Sequence, residues 1–362
     1  MKIWVTTPFF YRDMSRPWSE LLNDMLSIVD AAEDLGFEGV TVNENHFQNY
    51  VSNPSSLMFS ALAAARTERL RIMPGIVVLP YYNPLLIASE MSFLDQMAPG
   101  RIGIGVARGG SRYPLDRLGI NPKEARDIYE ESLEIIKRVW VEDDVSFDGK
   151  YFSFPPTTLV QAGIQAAPGG MGASQSIDGV RRVARQGNNL ITAPNYGNFE
   201  PYGDLEALLA AYNDEIETSG MPRKQVMALR HTWLGNTEEE ATEYFDDVLS
   251  EYNYYLTLVH ASSSGQQSQE ERLAARAEGK KDDSVVQGGA MRPAQESFSK
   301  EGLLEKYADP ILTTPDKMIE RFKSYEALGV DHMACLIAVG QPIEAIIKNM
   351  QFMAKEVLPE FS

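Results

Sequence analysis

Glu44 and His46 stand two residues apart, just after the short run Gly39-Val40-Thr41-Val42. A carboxylate and an imidazole at a strand end can move a proton, because histidine titrates near neutral pH. The same pair can instead form a satisfied hydrogen-bond network that supports the next loop. Asn45, between them, can orient a ligand but cannot shuttle a proton. Arg108 is followed by Gly109 and Gly110, so the backbone there can approach a ligand closely. Ser174 and Ser176 open an amphipathic segment, where free N–H groups and the helix dipole attract phosphate. Arg108 and the two serines thus form a candidate anion site. The plainer reading is a capping serine and a surface ion pair. Phe9, Phe10, Tyr81 and Tyr82 offer rings for stacking on a flat ligand, or simply for packing.

These residues need a frame that brings them to one place. Apolar runs read as strands at 2–7, 39–42, 70–79, 102–107, 164–173, 189–193, 225–234 and 332–339. Amphipathic segments between and after them read as helices at 19–35, 54–66, 84–96, 122–140, 174–186, 204–218, 237–252, 315–328 and 342–357. Strands alternating with helices imply parallel pairing. Eight repeats favour an α/β fold closed into a (β/α)8 TIM barrel, expected as one domain over 1–362. Ligands of such barrels bind at the carboxyl ends of the strands. The residues singled out above all follow strands, so the barrel would gather them at one mouth. Residues 144–154 read as a hairpin around Asp148-Gly149. Residues 261–300 are polar and charged, too long for an ordinary connection, and read either as a surface insertion or as a lid.

Composition excludes several partner classes. The chain of 362 residues carries a net charge of −18, which disfavours nucleic acid and anionic membrane surfaces. No apolar run is long enough to span a bilayer, and no signal-peptide pattern is visible. Cys335 is the one cysteine, so no intrachain disulfide can form, and a cytoplasmic location is expected. The four histidines show no metal-binding spacing, so no metal site is expected. His332, at the start of the last strand, falls at the opposite end of the barrel and reads as structural. Cys335, inside that strand, reads as a small buried apolar residue.

Several strings together resemble the bacterial-luciferase-like flavin monooxygenases: Glu44-Asn45-His46-Phe47, Val78-Leu79-Pro80-Tyr81-Tyr82-Asn83-Pro84, the block from Asp95 to Gly109, Thr313-Thr314-Pro315 and Val357-Leu358-Pro359. The resemblance covers nearly the whole chain, and the block from Asp95 to Gly109 is its most specific part. It implies a luciferase-like barrel that binds reduced FMN, with the phosphate near Arg108, Ser174 and Ser176. It also implies a non-proline cis peptide at Gly75-Ile76, against which the flavin ring leans. The implied reaction is a monooxygenation of a small organic substrate with O2, fed with reduced FMN by a separate flavin reductase. Glu44, Asn45 and His46 would line the pocket. His46 is the first candidate for proton transfer and His260 the second. The resemblance also places the 54–66 helix in a subunit interface. Its small residues, Ser55, Ser56, Ser60, Ala61, Ala63, Ala64 and Ala65, suit close helix packing, so a homodimer, or a heterodimer with a close relative, is expected. Asn45 stands where the catalytic luciferase subunit has histidine, and the non-catalytic subunit carries Glu-Asn-His-Phe there. A non-catalytic flavin-binding subunit is therefore one alternative. Hydride transfer with a deazaflavin on the same fold is another.

Overall fold

The structure is a computed structural model of the chain. It describes residues 1–11, 13, 15–47, 51–109, 111–160, 171–193, 204–250, 286–287, 290–291 and 310–361. Parallel strands β1 (Lys2–Thr7), β2 (Gly39–Val42), β3 (Arg71–Val78), β4 (Gly105–Ala107), β5 (Met171–Ala173), β6 (Asn189–Thr192), β7 (Val226–Leu234) and β8 (His332–Leu336) pair in that order. β8 returns to β1 with Trp4 opposite Ala334, which closes an eight-stranded barrel. Helices α1 (Trp18–Leu35), α2 (Ser56–Arg66), α3 (Pro84–Met97), α4 (Ala125–Val139), α5 (Ile177–Arg185), α6 (Leu205–Ser219), α7 (Pro315–Ala327) and α8 (Ile343–Glu356) surround it.

The period of two along each strand divides the core. Val5, Val40, Val42, Ile72, Val77, Val106 and Leu190 pack into the layer between barrel and helices. Trp4, Met73, Ile191, Met227 and Ala334 form a separate cluster that fills the barrel interior. The Trp4 indole needs Gly39 beside it, since a Cβ on Gly39 would lie 2.4 Å from the ring. The helices follow from apolar spacing and caps. In α1, Leu21, Met25, Ile28, Val29 and Ala32 recur on one face and are buried, and Gly36 ends the helix at φ +86°. Asn83 caps α3 through its side-chain oxygen, and Pro84 takes the first helical position.

Some boundaries differ from the sequence reading. The run 102–107 yields a strand only from Gly105, and Ile102 makes a single bridge to Ile72. The segment 122–140 is helical only from Ala125, because the backbone first turns at Asn121, whose carbonyl accepts from Glu124 and Ala125. A separate short helix, Arg112–Arg117, precedes that turn. α2 begins at Ser56, capped by Ser55, and not at Pro54. The predicted helix 237–252 is a single turn, Glu238–Ala241, then a break, then helix over 245–250. A strand that the sequence reading missed, Ile311–Thr313, pairs with the far end of β7, Ile311 opposite Thr232. The hairpin forms as Val145–Asp148 against Ser153–Thr157. Of the expected strand 164–173 only Met171–Ala173 is described, and of 261–300 only the short pair 286–287 with 290–291; the rest lie outside the described residues. No described helix is long and apolar enough to cross a membrane.

Candidate functional site

β2 ends at Val42, and strict side-chain alternation ends with it. Glu44 and His46 therefore turn toward each other, with His46 Nε2 3.2 Å from Glu44 Oε1. The Glu44 side chain is 1% exposed, so its charge must be met by donors within the protein. Oε1 also accepts from the Tyr82 hydroxyl at 2.9 Å and from the Val78 N–H at 3.4 Å. Oε2 accepts from the Ser56 hydroxyl at 2.8 Å and the Ser56 N–H at 3.4 Å. Ser56 is the first residue of α2, where the N–H has no intrahelical partner and the dipole favours an anion. The Tyr81 ring meets His46 edge-on at 5.2 Å. Burial, and then the Glu44 charge, push both the Tyr81 and Tyr82 phenols well above their ordinary range, so both keep their protons. Asn45 is tied into the loop: its N–H donates to the Asn53 carbonyl at 3.0 Å, and its Oδ1 accepts from the His46 N–H at 2.9 Å.

At the end of β4, Arg108 is exposed and Gly109 takes φ +81°. The chain enters α5 through Ser176, whose Oγ accepts from the Gly179 N–H at 3.2 Å. Ser174 lies two residues before this cap, and its Oγ accepts from the Ser176 N–H at 3.4 Å. Gly179 makes room for it, since a Cβ there would stand 1.9 Å from Ser174 Oγ. Of two cations missed in the sequence reading, Arg126 lies within electrostatic reach of Arg108, and Arg182 within reach of Arg126. Half-buried Arg126, in the first turn of α4, is pushed below the ordinary arginine value by burial, then by the charges of Arg182 and Arg108. Arg182, on α5, has Glu130 at 3.4 Å. The signal was available: a cation in a first helical turn opposes the dipole, and such a position asks for an anion.

The strand between these groups is only partly covered at Gly75 and Ile76. The Gly75-Ile76 peptide is cis, as the resemblance implied. These two residues are half-buried in a strand whose other members beyond Arg71 are buried. Ile76, with Ala173 and Leu229, caps the interior cluster toward the carboxyl ends. Thr6 and Thr41 face each other across β1 and β2, and their buried hydroxyls find no partner among the described residues. Tyr81 joins the two halves. Its ring packs on His46, and its hydroxyl lies 3.3 Å from where a Cβ on Gly109 would stand. The structure thus brings Glu44, Asn45 and His46 together and links them through Tyr81 to the turn that carries Arg108. Gly75, Ile76, Ser174 and Ser176 lie at the same carboxyl ends.

Two residues stand apart. His332 accepts at Nδ1 from the Trp4 indole N–H at 3.1 Å, at the amino end of the barrel, and burial then Arg71 lower its pKa. Cys335 is fully buried, and burial pushes its thiol up to about 12. His260 lies outside the described residues, among which no cluster of side chains could hold a metal ion.

A closed parallel barrel with a carboxylate–imidazole pair and a cationic, glycine-flanked turn at its carboxyl ends has the design of a TIM-barrel enzyme. The chain belongs to the luciferase-like monooxygenase family, whose sequence profile matches residues 1–332. It is 25% identical over 353 residues to the oxygenase component of flavin-dependent trigonelline monooxygenase from Acinetobacter baylyi, covering 95% of this chain and 91% of that protein. It is 25% identical over 321 residues to F420-dependent glucose-6-phosphate dehydrogenase from Microbacterium testaceum, covering 86% of each chain. Its fold matches the oxygenating constituent of 3,6-diketocamphane monooxygenase from Pseudomonas putida, solved with FMN. That match has a TM-score of 0.74 and 16% identity, over 99% of this chain and 98% of the other.

Proposed function

We propose that this chain is the oxygenase component of a two-component flavin monooxygenase, which uses reduced FMN and O2 to oxygenate a small organic substrate. The observation that carries the reading is the continuity through Tyr81 of a buried acid–base pair and a cationic turn. Arg108, with Arg126 within its electrostatic reach, and the N–H groups around Ser174 and Ser176 hold the phosphate. Gly75 and Ile76 back the ring, where the half-open strand leaves space. The two threonine hydroxyls beneath suit a ligand with polar edges. Bound reduced flavin supplies the electrons that activate O2. The chain's own residues bind and orient the reactants, exclude water and manage protons. His46 exchanges the proton, Glu44 balances the charge, and Asn45 positions. A separate reductase supplies the reduced flavin, in keeping with a relative that is itself an oxygenase component. The test is to add a flavin reductase, FMN and isotopically heavy O2 to the pure chain, with candidate substrates, and to look for one heavy oxygen in the product. Labelled product supports the reading. Flavin binding without label transfer to any substrate contradicts it.

A second reading is favoured by the F420-dependent relative: hydride transfer with a deazaflavin in the same mouth. Deazaflavin reduction without oxygen consumption would select it.

The chain works as a homodimer. Four residues of the small-residue stripe, Ser56, Ser60, Ala63 and Ala64, are buried within the chain and do not supply the contact. The neighbouring face does: Met58 and Leu62 on α2, and Leu86, Phe93 and Met97 on α3, are exposed. These helices pack side by side, and apolar surface shared by two neighbouring helices marks an association site.

A further inference from the structure

The hydrogen bonds around His46 fix which ring nitrogen carries the proton. Nε2 faces two oxygens, Glu44 Oε1 at 3.2 Å and Tyr82 Oη at 3.5 Å. A carboxylate only accepts. The Tyr82 hydrogen is already committed to Glu44 Oε1 at 2.9 Å, so the phenol turns lone pairs toward Nε2. Neither oxygen can donate to Nε2, and the nitrogen must carry the hydrogen itself. Nδ1 then carries the lone pair, and it has no hydrogen-bond partner among the described residues. The His46 side chain is 14% exposed, against 1% for Glu44, so the ring and not the carboxylate is open to a ligand.

We propose that Tyr82 and Ser56 are positioning residues that lock the Glu44 carboxylate, hold His46 in the Nε2–H tautomer and leave Nδ1 as the proton-accepting atom of the mouth. The proposal deepens the acid–base reading given above and rests on it. In the step assigned to this atom, an acidic O–H of the bound substrate gives its proton to Nδ1. The N–H bond forms as the O–H bond breaks, the electron pair stays on the substrate oxygen, and the imidazolium charge is set against Glu44 across the ring. Among the described residues, the other rings packed on His46 are Tyr81 and Phe47, both neutral, and Glu90 of α3 acts on Tyr82 from farther away. Tyr82 can play this part only as the neutral phenol, which its burial secures. Ser56 anchors Oε2 from the opposite side, so the carboxylate cannot rotate away from the ring. A group that fixes the orientation and tautomer of an imidazole acts through it, as partners of functional histidines commonly do.

The test reads the tautomer directly. Flavin-free, full-length protein carrying isotopically labelled histidine is examined by two-bond proton–nitrogen correlation, and the His46 signals are identified by their loss in His46→Gln. The expected result is a proton on Nε2 and a bare Nδ1 in the neutral ring. In Tyr82→Phe, the two nitrogens should shift toward each other as the tautomers mix. The ring's ionisation should move to lower pH, because a carboxylate free to turn away from the ring supports the imidazolium less. Ser56→Ala should shift both readouts the same way by less, which keeps the test open if Tyr82→Phe folds poorly. A proton on Nδ1 in the parent, or no change of tautomer and ionisation in either variant, would overturn the proposal while leaving His46 as a candidate base. The pH profile of turnover is measured alongside. If the tautomer is as expected but the profile is indifferent to His46→Gln, the acid–base reading itself fails and the proton-accepting role falls with it.

Discussion

Single side chains at the mouth make claims that can be checked one at a time. Arg108 is exposed and its charge acts on half-buried Arg126, which Arg182 also repels, so an anion bound there would relieve Arg126. Arg108→Ala should weaken FMN by roughly 1.5–3 kcal/mol, the worth of a charged hydrogen bond. Riboflavin, which lacks the phosphate, should bind almost as before. Equal weakening of both flavins in a binding titration would show that Arg108 does not hold the phosphate. His332 gives a pH prediction at the other end. Burial, then Arg71, hold its folded pKa below the ordinary value of 6.5. The unfolded chain therefore takes up a proton that the folded chain refuses. This contribution to stability is complete above pH 6.5 and is lost as pH falls from there toward the folded pKa. Urea midpoints on either side of that value should diverge in the parent and converge in His332→Gln; an unchanged difference would mean that His332 is not responsible. At this scale the sequence showed the residue types but not their company. Glu44 and His46 were legible from their spacing, whereas Tyr82, Ser56, Arg126 and Arg182 come from four other segments, and only packing brings them in.

Elements set where those side chains arrive. α5 can start at Ser176 with Ser174 tucked beneath it because residue 179 has no side chain. Gly179→Ala would need to displace Ser174 from its position. The thermal midpoint should fall and FMN should bind more weakly; a fully stable variant with unchanged affinity would mean that the serine pair is not shaped for the phosphate. The α2 and α3 faces carry the association prediction. Leu62→Glu combined with Phe93→Glu should convert a dimer to a folded monomer by sedimentation. A parent chain that is already monomeric would remove the dimer. Helix faces and strand order were readable from periodicity, since burial repeats at fixed spacing. The side of α2 that turns outward was not, because small residues suit close packing inside a chain as well as between chains. The strand Ile311–Thr313 was missed for a related reason. It is three residues long, and its pairing on the end of β7 depends on a neighbour distant in sequence.

The barrel as a whole explains why dispersed residues act together. Neighbouring parallel strands end at one mouth, so Glu44, the Tyr81–Tyr82 pair, Arg108 and the start of α5, which follow β2, β3, β4 and β5, lie side by side through strand pairing. The alternation of strand and helix made the architecture legible, and the family motifs made the chemistry legible. The substrate was not, because the shape of the mouth depends on loops whose lengths carry no geometric code. The central claim is that this mouth oxygenates a substrate with flavin-activated O2 and a proton relayed through His46. The most direct measurement follows transfer of isotopically heavy oxygen from O2 into product, with a reductase and FMN supplied, for the parent chain and for His46→Gln across a pH series. The account predicts one heavy oxygen per product in the parent and a histidine-like ionisation in its rate that His46→Gln abolishes. Product without label, or label at a rate that His46→Gln leaves untouched at every pH, would contradict it.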